Sequence, residues 1–240
     1  MTRNKPMLDI RWRPDGQTVG PGEVAVVVDV LRGSTTIATA LSLGATAVLA
    51  TTEVDEARSL ALEHKAVLIG ERKNRRIEGF DFGNSPVELD AGRIRGRPVV
   101  FSSTNFPFAL KAAEQGVQVL IGALVNLKAV CMAALRAAQR SKADIAVMLA
   151  GEPSETHAKE DYYFAGRMAR VLTDSCTLST EAGKAAEFAA RHSPAQAIEA
   201  SIHAQELIRD GFQEDVTFAF TLNRFNVVPR LSDGWIIAEG

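Results

Sequence analysis

The chain has 240 residues, 46% hydrophobic and 23% charged, with 27 basic and 29 acidic side chains giving a net charge of −2. These values fit a globular protein and exclude disordered, collagen-like and coiled-coil classes. The balanced charge, with no long basic tract, argues against nucleic acid as a partner. Two cysteines, Cys131 and Cys176, supply neither a disulfide framework nor metal-site spacing. No stretch reaches the roughly 18–20 apolar residues of a membrane span. No apolar run follows Met1-Thr2-Arg3-Asn4-Lys5-Pro6 as it would in a signal peptide, so the expected location is cytoplasmic.

Short apolar runs then alternate with helix-period segments. Val24–Val30 is β-branched and apolar, as a strand covered on both faces should be. Ser34-Thr35-Thr36 can cap a helix carrying Ile37, Ala40 and Leu41, which stops near Gly44. A strand at Ala47–Ala50, a helix at Val54–Glu63 and a strand at Val67–Ile69 follow. Gly70–Gly83 is polar, glycine-containing and too long for a simple turn. Ser85-Pro86-Val87-Glu88 reads as a capping box with proline at the first helical position. Strands at Pro98–Ser102 and Val117–Ile121 flank a helix from about Thr104 to Gln115, and a long helix at Asn126–Arg140 leads to a strand at Ile145–Ala150.

This order predicts an α/β fold, a mostly parallel sheet flanked by helices. After about residue 151 the pattern becomes helical, at Lys159–Leu172, Ala182–Arg191 and Ala195–Arg209. A few strands then follow, at Val216–Thr221, Val227-Val228 and Trp235–Ala238. With no linker or repeat, one unit spanning residues 1–240 is expected, the alternative being a lobe boundary near 151.

In open α/β sheets, ligands sit outside the carboxyl ends of the strands, and four segments concentrate functional side chains there. The first is Asp29-Val30-Leu31-Arg32-Gly33-Ser34-Thr35-Thr36. Helix-start amides and Arg32 favour a phosphate, and Asp29 can ligate Mg²⁺ or attack phosphorus. A helix cap with one ion pair is the structural alternative. The segment resembles the Asp-x-Asp-x-Thr of haloacid-dehalogenase-like phosphatases only in part, since Leu31 stands at the second acid.

The second segment is Gly70-Glu71-Arg72 with Glu78-Gly79-Phe80-Asp81-Phe82-Gly83-Asn84-Ser85-Pro86, acids and an amide in one glycine-punctuated loop. Its basic run Arg72-Lys73-Asn74-Arg75-Arg76 also fits a solvated face. The third is Ser102-Ser103-Thr104-Asn105, which can bind a phosphoryl group or simply cap a helix. The fourth is Gly151-Glu152 with Glu160-Asp161, acids that either complement a helix dipole or bind metal. His64, His157, His192 and His203 lack zinc spacing.

Taken in this order, the four segments resemble the 2-phosphosulfolactate phosphatase family, the Mg²⁺-dependent phosphatases of coenzyme M biosynthesis. Glu78-Gly79-Phe80-Asp81-Phe82-Gly83-Asn84-Ser85-Pro86-Val87-Glu88 is its long, unusual core, supported by Asp215-Val216 and Val228-Pro229. The resemblance implies an α/β fold, Mg²⁺, and hydrolysis of a small phosphorylated organic acid, 2-phosphosulfolactate, to sulfolactate and phosphate. On that reading Asp29, Arg32, Glu71 and Asn105 are catalytic, and Ser34, Thr35, Arg72, Asn84, Ser85 and Thr104 bind substrate. Asp29, Asp81, Glu160 and Asp161 would hold the metal.

Two departures from the family pattern concern charge. Phe106-Pro107-Phe108 stands where the family usually continues Gly-Thr-Arg, and residues 152–159 replace a second arginine-bearing stretch, with His157 or Lys159 as substitutes. The alternatives are a phosphatase for a less anionic ester, with Phe106 and Phe108 lining an apolar subsite, and a binding protein that has lost catalysis. A homodimer is compatible with the small helix positions Ala133, Ala134, Ala137 and Ala138, which fit interior packing equally well.

Overall fold

The computed structural model describes residues 5–13, 16–151 and 158–239. Its strands are β1 (Met7–Trp12), β2 (Glu23–Val28), β3 (Val48–Thr51), β4 (Val67–Arg72), β5 (Arg75–Arg76), β6 (Val99–Ser102), β7 (Gln118–Gly122), β8 (Asp144–Leu149), β9 (Thr177–Leu178), β10 (Pro229–Ser232) and β11 (Trp235–Ala238). They lie in the order β5-β4-β6-β3-β11-β10-β7-β2-β8-β1-β9. Two parallel groups, β4-β6-β3 and β7-β2-β8-β1-β9, make the expected α/β sheet. The hairpin β10-β11 joins them, antiparallel to β7 on one side and to β3 on the other. Its two-residue turn is Asp233-Gly234, both with positive φ (50° and 81°), the left-handed pair that a tight hairpin requires.

The helices are α1 (Gly33–Ser42), α2 (Val54–His64), α3 (Ala91–Ile94), α4 (Phe106–Ala113), α5 (Leu127–Ser141), α6 (Lys159–Leu172), α7 (Thr180–Arg191), α8 (Pro194–Ala200), α9 (Ile202–Arg209) and α10 (Gln213–Ala219). Alternate residues of β2 feed two cores, because successive side chains leave a strand on opposite faces. Val24, Val26 and Val28 pack with α5, α6 and α7, while Ala25 and Val27 pack with Ile37 of α1 and Phe106 of α4. The second core also takes Val67 and Ile69 of β4 and Val99 and Phe101 of β6, so strands of both parallel groups share one core with α1 and α4. The carboxyl ends of β4 and β2, six steps apart in sheet order, line one cleft.

Helix α6 packs closely on α7, and Gly166 makes the approach possible. A Cβ at Gly166 would fall on the Ala185 carbonyl oxygen and 2.8 Å from Ala189 Cβ. Gly166→Ala is therefore expected to cost about 1–3 kcal/mol through overpacking, read as a lower urea midpoint. A midpoint equal to that of the wild type would mean the helices part without cost.

Several expected elements take a different form. Residues 85–88 form a turn rather than a helix, because the Ser85 hydroxyl donates to Asp215 and leaves no cap, and the next helix starts at Ala91 under an Asp90 cap. The expected strand Val216–Thr221 lies within and just beyond α10, whose first turn carries Glu214 and Asp215. The expected helix Ala195–Arg209 is split at Ser201, which caps α9 by accepting from Ala204 N–H. The strand β1 was not anticipated, although Leu8, Ile10 and Trp12 alternate with polar residues. Among the described residues, no helix is long and apolar enough to cross a membrane.

Candidate active site

Strands β2, β4 and β6 end around one cleft of about 230 Å³, lined among others by Asp29, Arg32, Glu71, Lys73, Asn84, Ser103, Thr104, Asn105, His203 and Glu206. Asp29 follows β2 directly, beneath the first turn of α1. Gly33 N–H donates to its carboxylate, and a Cβ on Gly33 would meet Asp29 Oδ2 at 2.6 Å and Phe106 Cβ at 2.8 Å. Only glycine fits there.

Glu71 ends the regular part of β4. Its Oε1 accepts from both the N–H and the hydroxyl of Thr104 at 3.1 Å, and its Oε2 accepts from Asn74 N–H at 3.1 Å. Three donors on one carboxylate tie the end of β6 to the β4-β5 hairpin. The tip of that hairpin, Lys73-Asn74, has φ of 52° and 64°, again the left-handed pair of a two-residue turn.

Arg32 is buried. Its Nη1 donates to Asp215 Oδ2 at 2.5 Å and its Nη2 to the Asn74 carbonyl at 3.1 Å, while its guanidinium lies 4.2 Å from the Phe212 ring centre. Asp215 Oδ1 accepts from the Ser85 hydroxyl at 2.6 Å. The segment α9–α10 thus covers the cleft and supplies His203, Glu206 and Asp215, none anticipated as site residues. Ser201, a helix cap just before His203, is the sequence signal that separates α9 from α8.

Behind Asp29 lies a buried acid group. Glu160 accepts from the Ser201 hydroxyl at 2.5 Å and from His203 Nδ1 at 3.3 Å. Burial pushes the Glu160 carboxyl up, but His203 and Ser201 outweigh it and hold the group below its ordinary value. Asp161 accepts from Val30 N–H at 2.7 Å and Gly151 N–H at 3.5 Å. Burial first, and then the charges of Glu160 and Asp29, push it well up. Asp29 is raised to about 7, chiefly by burial, with Glu160 and Glu71 adding to the rise and His203 and Gly33 N–H opposing it.

Several expected roles change with these contacts. Asp81 stands apart from the cleft, its carboxylate accepting from Leu68 N–H and pairing with Arg93. Glu160 and Asp161 are committed to the bonds above, so of the four expected metal ligands Asp29 alone lines the cleft. Arg72 is spent on the carbonyls of Glu71 and Thr52 and on the Ser102 hydroxyl. Of the helix-start amides expected to meet a phosphate, Ser34 N–H donates to the Asp29 carbonyl at 2.9 Å, and the hydroxyls of Ser34 and Thr35 donate to the carbonyls of Asp29 and Val30. Phe106 packs in the core against Phe101, and Phe108 lies under Arg13, so neither makes an apolar subsite in the cleft. The Lys159 ammonium lies over Phe188, while Glu152 and His157 fall outside the described residues.

What the cleft does hold is unsatisfied oxygen. Among the described residues, the buried Asn84 Oδ1, Asn105 Oδ1 and Ser103 Oγ find no hydrogen-bond partner, a condition that buried polar groups rarely tolerate. Among the described residues no three His, Cys, Asp or Glu side chains group to hold a metal. The hard donors present are the carboxylates of Asp29, Glu71 and Glu206, of which Glu71 already accepts from three donors, and these neutral oxygens. That set suits Mg²⁺, which uses one or two carboxylates and retains waters.

Fold and cleft together define an α/β protein whose polar site is built at the carboxyl ends of its strands. The chain belongs to the 2-phosphosulpholactate phosphatase family, whose model matches residues 14–234. It is 33% identical to a probable 2-phosphosulfolactate phosphatase of Carboxydothermus hydrogenoformans, covering 97% of each chain. It is 36% identical to a protein of the same description from Deinococcus radiodurans, over 91% of each. It is also 35% identical to the 2-phosphosulfolactate phosphatase of Methanocaldococcus jannaschii, over 86% of this chain and 88% of that one.

Proposed function

We propose that this protein is a Mg²⁺-dependent phosphatase that hydrolyses 2-phosphosulfolactate to sulfolactate and phosphate in coenzyme M biosynthesis. The observation that carries the reading is the Asp29 carboxylate sharing one cleft with three unsatisfied oxygens, from Asn84, Ser103 and Asn105. The choice of substrate is supported by relatives described as 2-phosphosulfolactate phosphatases.

Asp29 with the amide oxygens of Asn84 and Asn105 would hold Mg²⁺, and Ser103 Oγ would contact its water or the ester. When bound, Mg²⁺ neutralises phosphoryl charge and acidifies water. Arg32, fixed by Asp215 and Phe212, keeps a positive charge on the wall where the equatorial phosphoryl oxygens gather. Glu71, occupied by three donors, positions Thr104 and Asn74 rather than carrying a proton. Because a metal ligand must be deprotonated, the burial that raises the Asp29 carboxyl to about 7 makes Mg²⁺ binding weaken below neutral pH.

Phosphate release from 2-phosphosulfolactate is expected with Mg²⁺, abolished by EDTA and restored by added Mg²⁺. Thermal stabilisation by the ester without phosphate release at any Mg²⁺ concentration would make the chain a binding protein and overturn the reading.

A further inference from the structure

We infer that Lys73 selects substrates carrying a second anionic group, a carboxylate or sulfonate distal to the phosphate; this rests on the reading above, that the cleft takes a small phosphomonoester. Such an ester needs a cation beyond those that meet its phosphate. Phe106-Pro107-Phe108 supplies none, and the Lys159 ammonium lies over Phe188.

Among the described residues that line the cleft, the cationic side chains are Arg32, Lys73 and, when protonated, His203, which pairs with the Glu160 carboxylate at 3.3 Å. The charge of Arg32 is matched by Asp215, both side chains being 2% exposed. Lys73 is exposed and forms no ion pair with any carboxylate of the described residues. It is therefore the uncommitted positive charge of the cleft.

Its backbone is held although its side chain is not. Asn74, the next residue of the same two-residue turn, donates its N–H to Glu71 Oε2 at 3.1 Å. Its carbonyl accepts from Arg32 Nη2 at 3.1 Å, and its Nδ2 donates to Asp210 Oδ2 at 3.2 Å. The tip is thus tied to β4, to the start of α1 and to the end of α9. An ammonium on a flexible stem then projects from a fixed point on the rim and reads charge rather than planar shape. The acidic lining residues Asp29, Glu71 and Glu206 repel an anionic tail, leaving Lys73 as its place of rest.

The test is steady-state kinetics of wild type, Lys73→Gln and Lys73→Arg on four esters. These are 2-phosphosulfolactate, 2-phospholactate (carboxylate only), 2-phosphoethanesulfonate (sulfonate only) and glycerol phosphate (uncharged tail). Lys73→Gln is expected to raise KM for 2-phosphosulfolactate about tenfold with kcat within about twofold, as loss of one charge-assisted contact should. The KM for glycerol phosphate should move by less than about twofold. Lys73→Arg should restore most of the affinity, and whichever single-anion ester shares the tenfold rise identifies the group that is read.

An equal rise on glycerol phosphate, or no rise on any charged-tail ester, overturns the role of Lys73. If the wild type hydrolyses none of the four, the hydrolytic reading fails separately. Thermal stabilisation by 2-phosphosulfolactate still decides for Lys73 if it is lost in Lys73→Gln, and against it if retained.

Discussion

Asp29→Asn yields a folded protein whose kcat for phosphate release is roughly 10²–10⁴ lower, because it loses the carboxylate that would hold Mg²⁺ and the charge stabilisation that comes with the metal. The same variant is more stable than the wild type when metal is absent and the pH is high. Asp29 is buried beside Glu160 and Glu71, and its carboxyl rises from an ordinary 3.8 to about 7. Between those values the folded protein keeps a proton that the unfolded chain gives up. Folding is therefore favoured most below about pH 4, and stability falls as the pH rises towards 7, after which the loss is complete.

Asparagine has no proton to lose. In EDTA at pH 8 the variant should exceed the wild type by on the order of 4 kcal/mol, and the difference should close near pH 4. Thermal unfolding across that range measures both limits. A variant less stable than wild type at pH 8 would mean that the ionised carboxylate holds the fold together.

Asp215→Ala is expected to cost about 3–5 kcal/mol, the penalty for leaving a buried cation without its partner. Arg32 loses the acceptor of its Nη1, and Ser85 loses the acceptor of its hydroxyl. The double variant Arg32→Met with Asp215→Leu removes both charges and should recover most of that stability, yet release no more phosphate than the single variant. Urea unfolding and phosphate release on the three proteins separate the two effects. A double variant that regains activity would show that Arg32 serves the fold alone.

The strand ends were legible because their signals are local. A β-branched run such as Val24–Val28 followed by Asp29, a glycine and hydroxyls marks a buried strand meeting a polar loop, and the cleft opens there. Glu71 and the Thr104-Asn105 pair were legible for the same reason. What covers the cleft was not. The stretch Val216-Thr217-Phe218-Ala219-Phe220-Thr221 carries β-branched and aromatic residues at strand-like spacing, but Val216, Ala219 and Phe220 are buried in the core shared with α6, where Phe220 stacks on Tyr163, and that packing favours a helix.

Asp81 was drawn into the expected metal set by its place in an acidic motif. Its actual partner, Arg93, lies in a short helix whose position only the tertiary fold sets. Ser85 was read as a cap because Pro86 and Glu88 complete that pattern, while its true acceptor is 130 residues away. Local pattern finds side chains at the ends of their own strands; it cannot find a partner delivered from the far side of the chain.

The β10-β11 hairpin gives the sheet an order of assembly. Residues 229–238 follow every other strand in the chain, yet they sit between β3 and β7. A chain emerging from the ribosome can pair β4, β6 and β3, and separately β7, β2, β8 and β1, long before the piece that fills the gap is made. Until then β3 and β7 each present an open edge to other strands. The wall bearing Glu71 and the wall bearing Asp29 belong to different groups, so the cleft is completed only once residues 229–238 have been made. A nascent chain carries the residues of the site well before it carries the site.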